Sequence, residues 1–177
     1  TTQSQGDAQD FGDTTIARSS RRACNSPTRM VIGGGGDPSF DEIDYITFST
    51  TGNAADFGNL LEAKKYAASA SNAVRGLWAS GNRTEPSVFY NRIEFVTIAT
   101  LGNSQDFGDA THSLSHAGAC SSTTRMVVGG GSDPTPTRTN TMYYIQIMSK
   151  GDAIDFGDLT HQLDGPVGAS NGHGGLG

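Results

Sequence analysis

GNSQDFGD, residues 102–109, is the most informative stretch of the chain, because close copies of its core recur along the sequence. The motif reads DFGD at Asp10–Asp13, DFGN at Asp56–Asn59, DFGD at Asp106–Asp109 and DFGD at Asp155–Asp158. Its phenylalanines, Phe11, Phe57, Phe107 and Phe156, are spaced by 46, 50 and 49 residues. Five residues before each Phe stands a glycine (Gly6, Gly52, Gly102, Gly151), followed by Asp7, Asn53, Asn103 or Asp152. Eighteen residues after the first three stands an arginine, Arg29, Arg75 or Arg125, where the fourth copy has Gly174 in SNGHGGLG. A fixed period of this size marks a repeat architecture.

The intervals separate scaffold from variable parts. Phe to Arg is constant, whereas Arg to the next Phe is 28, 32 and 31 residues. The variation lies in DPSFDE, NRTEPSVFYNR and SDPTPTRTNT, each just after a glycine-ended apolar run. A rigid strand set carrying one variable loop per unit suits a presented surface. Each unit reads as four short strands. The first holds an apolar run (Met30–Ile32, Leu77–Trp78, Met126–Val128). The second has apolar groups on both faces (Tyr45, Ile46 and Phe48; Phe95, Val96 and Ile98), as a strand between layers requires. The third follows a Gly-Asn or Gly-Asp pair, read as a tight hairpin turn, and carries DFG. The fourth is the small-residue stretch RRACNS, KKYAASAS or HAGACSS.

Composition agrees. The chain of 177 residues is long enough for one domain, and it holds 24 glycines against 32 Leu, Ile, Val and Phe together. Scarce aliphatics with a net charge of only −6 favour a turn-rich β protein over a disordered one. Twelve scattered Lys and Arg and a pI near 5.0 speak against a nucleic-acid surface. No apolar run approaches the roughly 18 residues that span a bilayer, so no membrane insertion is expected. The start, TTQSQGDAQ, lacks the layers of a signal peptide. Cys24 and Cys120 fill the same slot two units apart, which predicts small buried core thiols rather than a disulfide or metal pair.

Four strands per 46–50 residues predict an all-β fold of β-propeller blades. The pattern resembles the kelch repeat, in which an apolar strand ending in a double glycine is followed by a variable loop, a strand with a tyrosine and a later aromatic. Gly33-Gly34 and Gly129-Gly130 match the glycine pair, Tyr45, Phe95 and Tyr144 the tyrosine, and the DFG phenylalanine the later aromatic. The middle unit departs, with Ala79-Ser80-Gly81 after Trp78, so a different turn is expected there. The repeated DFGD, the GNA- and GDA-type turns and the SNGHGGLG ending look more narrowly like kelch-like proteins of tailed bacteriophages, marine and cyanobacterial phages included. That resemblance implies a virion component of fibre or appendage type.

The reading is one kelch-like domain over 1–177, in units of about 1–42, 43–92, 93–141 and 142–177. Residues 1–13 align with 98–109, so the chain reads as beginning mid-blade and as an incomplete ring. Either it is part of a longer polypeptide, the preferred alternative, or several copies complete one ring.

DFG also occurs in protein kinases, but four copies without their Lys strand or HRD loop exclude that reading. The structural reading has each Phe packing between blades and Asp10, Asp56, Asp106 and Asp155 bonding backbone or hydroxyls in turns. A calcium site on Asp13, Asp109 or Asp158 is the competing one. The runs GGGGDP and GGGSDP lack the Lys-Ser/Thr of a phosphate loop. His112 and His161 share a slot filled by Ile16 and Glu62 elsewhere, which marks a substitutable position, and His112 with His116 falls on strand and turn rather than a zinc-binding helix. Asn82-Arg83-Thr84 is a formal glycosylation sequon.

An active site breaks repeat symmetry. The residues that break it here are Phe40, Arg83, Phe89, Tyr90, Arg138 and Tyr143, with Trp78 at a strand end. Loop aromatics and arginines suit binding, sugars among the ligands. The expectation is a non-enzymatic structural or adhesive virion protein with no cofactor and no metal. Its partners are other virion proteins or copies of itself, and a host-surface glycan or receptor. A cellular or extracellular kelch interaction module and a carbohydrate-active propeller enzyme are the alternatives.

Overall fold

A computed structural model describes residues 6–135 and 137–169. Gly174 and the rest of SNGHGGLG lie outside the described residues, as do 1–5 and Pro136. The described chain is all β, without helix. The first sheet is an antiparallel meander of β1 (Arg22–Asn25), β2 (Arg29–Gly33), β3 (Glu42–Thr47) and β4 (Ala55–Asn59). The second repeats it with β5 (Ala68–Ser71), β6 (Arg75–Ala79), β9 (Arg92–Thr97) and β10 (Gln105–Asp109). A two-stranded insert of β7 (Asn82–Arg83) and β8 (Val88–Phe89) sits between β6 and β9. The third is β11 (Gly118–Ser121), β12 (Arg125–Gly129), β13 (Thr139–Gln146) and β14 (Ile154–Leu163). Each sheet therefore begins with its small-residue strand and ends with its DFG strand, so the stretch expected as the fourth strand of a unit is instead the first of the next sheet, paired with the apolar strand that follows it.

The small-residue strands lie side by side, β1 against β5 and β5 against β11. Alanine, serine and cysteine there allow backbone approach, and their polar atoms stitch the sheets. Ser71 Oγ donates to Asn25 O at 2.8 Å, Ser121 Oγ to Ser71 O at 2.7 Å, and Cys24 Sγ to Ala70 O at 3.3 Å. Burial pushes the Cys24 thiol pKa up to about 12. Cys120, expected to be equally buried, is only half-buried and free, because no fourth complete sheet among the described residues covers it.

The DFG motif is a β-bulge. Ile43 pairs with Gly58 and Asp44 with Asp56, leaving Phe57 as the extra residue, and Phe107 and Phe156 are skipped in the same way. A bulge re-aims one side chain relative to the strand's alternation. The aspartate two residues before the glycine caps that glycine's N–H in three of the four copies, Asp10, Asp56 and Asp155. The re-aimed Phe57 and Phe107 are 2% and 3% exposed. Each meets its own sheet's aromatic edge-on, Tyr45–Phe57 at 6.1 Å and Phe95–Phe107 at 5.7 Å. Arg29 stacks on the Tyr45 ring and Arg75 on the Phe95 ring, each 4.5 Å from the centroid. From there they donate to Ile98 O and Ile147 O of the following sheet at 2.9 and 3.0 Å. Arg125, Tyr144 and Phe156 repeat the stack, but Phe156 is 51% exposed. The expectation that every DFG phenylalanine packs between units therefore fails at the last one, where no following sheet is present among the described residues.

Two turn expectations also change. The β3–β4 connection spans 48–54, longer than a tight hairpin, and its glycine serves a contact with the preceding unit instead. The middle unit's turn is not different: Ser80 takes φ 60°, matching Gly34 at 66° and Gly130 at 67°. Its hydroxyl lies 3.2 Å from both His112 O and Tyr143 Oη, which holds a left-handed conformation that side chains ordinarily avoid.

Replacing Phe107 by Ala should cost about 3–5 kcal/mol as deletion of a buried aromatic. The same change at Phe156 should cost less than about 1 kcal/mol. Urea unfolding of both variants checks the difference, and equal losses would mean that the inter-sheet core is misplaced.

Candidate functional site: the loop face

The second-to-third strand loops (34–41, 80–91, 130–138) emerge at the same end of the sheets as the linkers from one sheet to the next. Linker and loop are joined by backbone bonds: Gly36 N to Ser19 O at 2.7 Å, Asn82 N to Lys65 O at 3.0 Å, Ser132 N to Ser115 O at 2.8 Å. Each loop is closed by one equivalent bond whatever its length, from Phe40, Tyr90 or Thr139 N to Gly35, Gly81 or Gly131 O. Insertions are thus tolerated without disturbing the strands.

Within the linkers one slot stands out, nine residues after each DFG phenylalanine. Ser20, Tyr66, His116 and Gly165 hold it, all left-handed at φ 58°, 56°, 57° and 69°. They form a row in which Tyr66 N donates to Ser20 O, His116 N to Tyr66 O and Gly165 N to His116 O, at 3.3, 3.1 and 3.0 Å. The row brings the Tyr66 and His116 rings into a stack, centroids 3.7 Å apart and planes 25° from parallel.

A continuous polar and aromatic belt results. Thr84 Oγ1 donates to Asp37 Oδ1 at 2.8 Å, joining the first two loops. Lys65 Nζ lies 3.6 Å from Asp37 Oδ2 and 5.4 Å from the centre of the Tyr66 ring. Beyond His116, Ser132 Oγ donates to Asp164 Oδ1 at 2.8 Å. The Thr84 hydroxyl first, then Lys65, holds the Asp37 carboxyl below its ordinary pKa. Burial depresses the pKa of His116, with Arg22 and Lys65 adding to the effect and Asp164 opposing it.

His116 Nδ1 lies 3.1 Å from Ser115 Oγ. This is not a nucleophile–base pair: Ser115 is 2% exposed. His112 and His161 make the same local contact with Thr111 and Thr160. Among the described residues no three His, Cys, Asp or Glu side chains come together as a metal site. Asp13, Asp109 and Asp158 are exposed.

Of the residues singled out from sequence, Arg83, Phe89 and Tyr90 come together on the β7–β8 insert, all half-buried. Burial raises the pKa of Tyr90, and the Lys64 ammonium lies 5.5 Å from the centre of its ring. Phe40 is half-buried on the first loop, covering Gly36, and Arg138 is exposed on the third. Trp78 is a correction. It is 0% exposed, packs against Gly33 of the preceding sheet and donates Nε1–H to Arg22 O at 3.2 Å, so it supports the face without reaching it. Tyr143 is likewise buried on β13 and is no loop residue. Asp37, Lys65, Tyr66 and Asp164 were missed. The slot arithmetic would have found Tyr66, since its slot runs through Ser, Tyr, His and Gly from unit to unit. No family model and no curated protein matches the chain.

Because His116 titrates low when folded, the stability this contributes is full above its unfolded pKa of about 6.5. It is lost as pH falls from there through the depressed folded value. The urea midpoint should therefore fall on acidification below about pH 6.5, and His116→Gln should flatten that part of the profile. An unchanged profile would contradict the half-buried, neutral imidazole.

Proposed function

We propose that the chain is an arc of a kelch-like β-propeller that serves as a non-enzymatic structural and adhesive component of a tailed-phage particle. The observation that carries this reading is the separation of constant from variable. The inter-sheet contacts repeat from unit to unit, while residue type and loop length change together on one face. A scaffold of this kind can alter its ligand without altering its fold.

The face offers what recognition of a neutral or mixed polar ligand uses: aromatic surface at Tyr66, His116, Phe89 and Tyr90, flanked by Arg83, Asp37 and Asp164, with the buried Lys65 beneath holding Asp37. Aromatic faces with hydrogen-bonding neighbours suit a sugar chain. A glycan on the host surface is therefore the first ligand class to try, with a neighbouring virion protein as the second partner. The phage assignment rests on the resemblance of the DFGD repeats and GNA- or GDA-type turns to proteins of such particles.

Antibodies raised against the chain should decorate appendages of tailed particles and block their adsorption to cells. On a glycan array, Tyr66→Ala and Arg83→Ala should each lower any signal at least about tenfold, the effect of losing a central contact. Labelling confined to cells or secreted matrix would overturn the virion reading. Binding unaffected by replacement of all three loops would overturn the adhesive one.

A further inference from the structure

The seventh residue after each DFG phenylalanine enters the following sheet and meets the slot just before that sheet's tyrosine-position aromatic. In the first case Arg18 Nη2 lies 3.1 Å from Asp44 Oδ2, with side chains 0% and 1% exposed. In the second, Lys64 Nζ pairs with Glu94 Oε1, and Glu94 Oε2 also takes the Leu61 N–H and the Ser104 hydroxyl. In the third, the two slots hold Leu114 and Tyr143, both uncharged and both in one buried cluster. The slots change together: base with acid twice, aliphatic with aromatic once. This is what burial demands, since a charge sealed in without its partner is far costlier than an apolar pair.

Leu163 is the fourth member of the series. Its carbonyl accepts from Gly131 N just as those of Lys64 and Leu114 accept from Gly35 and Gly81. Its backbone is therefore already placed, yet its side chain is 43% exposed. It borders an apolar cleft of about 270 Å³ with Cys120, Val127, Met142, Leu159 and Val167. The same face carries the half-exposed Phe156, and Arg125 finds among the described residues no carbonyl like those of Ile98 and Ile147.

We infer that this face is an interface for one further sheet of the same repeat pattern, and that the sheet covering it carries an uncharged side chain in the slot held by Asp44, Glu94 and Tyr143. Its continuity with the two interfaces inside the chain defines the rest of the partner. A Gly-Asn or Gly-Asp turn followed by a small residue would bond the Phe156 and Asp158 carbonyls, and a strand-end carbonyl would receive Arg125. A second copy of this chain does not qualify. Its first sheet presents Asp44, already engaged by its own Arg18 and Thr15, and its other two sheets are already covered from that side. Leu163 would face a carboxylate.

The inference rests on the propeller-arc part of the reading above and not on the adhesive part. It is tested by extending the chain, with a copy of 118–163 replacing 167–177 so that the Phe-to-strand spacing is kept. The copied cysteine is changed to Ala. One version is otherwise unaltered, a second carries Tyr143→Glu in the copy, and a third adds Leu163→Lys to the second. The rate at which Ellman's reagent modifies Cys120 reads coverage of the face, and the unreactive Cys24 reports that the fold is intact.

Modification should slow at least about tenfold in the first version, stay within about twofold of the unextended chain in the second, and slow again in the third, as a sealed core site would. Equal protection in the first two would overturn the slot rule alone. No protection in any version with Cys24 still shielded would overturn the interface and the propeller arc together. Should an extension not fold, Leu114→Lys and Tyr143→Glu in the unextended chain decide. Each alone should lower the melting temperature, and the double variant should recover most of the loss. A double variant no better than the worse single would overturn the pairing.

Discussion

Two glycines from successive units are pressed together at each junction between sheets, and the rest of the structure follows from that contact. Gly58, at φ 141°, lies so close to the next turn that a Cβ on it would stand 2.6 Å from Gly102 O. Gly12 meets Gly52 and Gly108 meets Gly151 in the same way. The approach lets Gly52, Gly102 and Gly151 N donate to Phe11, Phe57 and Phe107 O at 2.8, 2.8 and 2.9 Å. The amides two residues on bond Asp13, Asn59 and Asp109 O, all at 2.8 Å. The side chains of Asn53, Asn103 and Asp152 return a bond to the N–H of Asp13, Asn59 and Asp109. With the outer strands latched in register, the bulge can drive each phenylalanine into the gap, and the arginine stacked on its neighbour can reach across.

The latch leaves the opposite end of the sheets free to vary. Loops of different length close on one backbone bond, and the linkers run as a hydrogen-bonded row that sets Tyr66 on His116. Between the two ends lies a layer that must be matched rather than constant in kind: Arg18 with Asp44, Lys64 with Glu94, Leu114 with Tyr143. The backbone latch aligns any two units. The matched layer tells them apart, which suits an array whose order along the chain matters.

The period, the four strand types and the side that varies were legible in the sequence, because interval counting detects them without any knowledge of contacts. Where one sheet ends and the next begins was not, since a period has no phase and the small-residue stretch read as a unit's fourth strand opens the next sheet. The three-dimensional partners were not legible either. Trp78 read as a symmetry-breaking surface aromatic, but its ring lies over Gly33 of the preceding sheet, where the lack of a side chain makes room for it. Gly33 itself read only as half of a turn-forming glycine pair, so neither residue pointed to the other. The left-handed backbone of Tyr66 and Ser80 was invisible too, since neither is a residue that favours it. The Lys64–Glu94 pair joins residues far apart in the chain, and neither carries a local signal of burial. Phe156 shows the converse: its motif is intact, and only the lack of a following sheet among the described residues leaves it exposed.

The central claim is that turn amides are locked by the neighbouring unit, and native-state hydrogen exchange of the Gly52, Gly102 and Gly151 amides tests it most directly. These turns lie at the surface, so their amides would exchange fast if each sheet merely rested on the next. The account predicts protection comparable to that of the sheet interiors, at least about a hundredfold over an open turn. It also predicts that Gly58→Ala abolishes the protection at Gly102 and Ser104 before it affects Gly151. Exchange of all three glycine amides at the rate of free turns would contradict it.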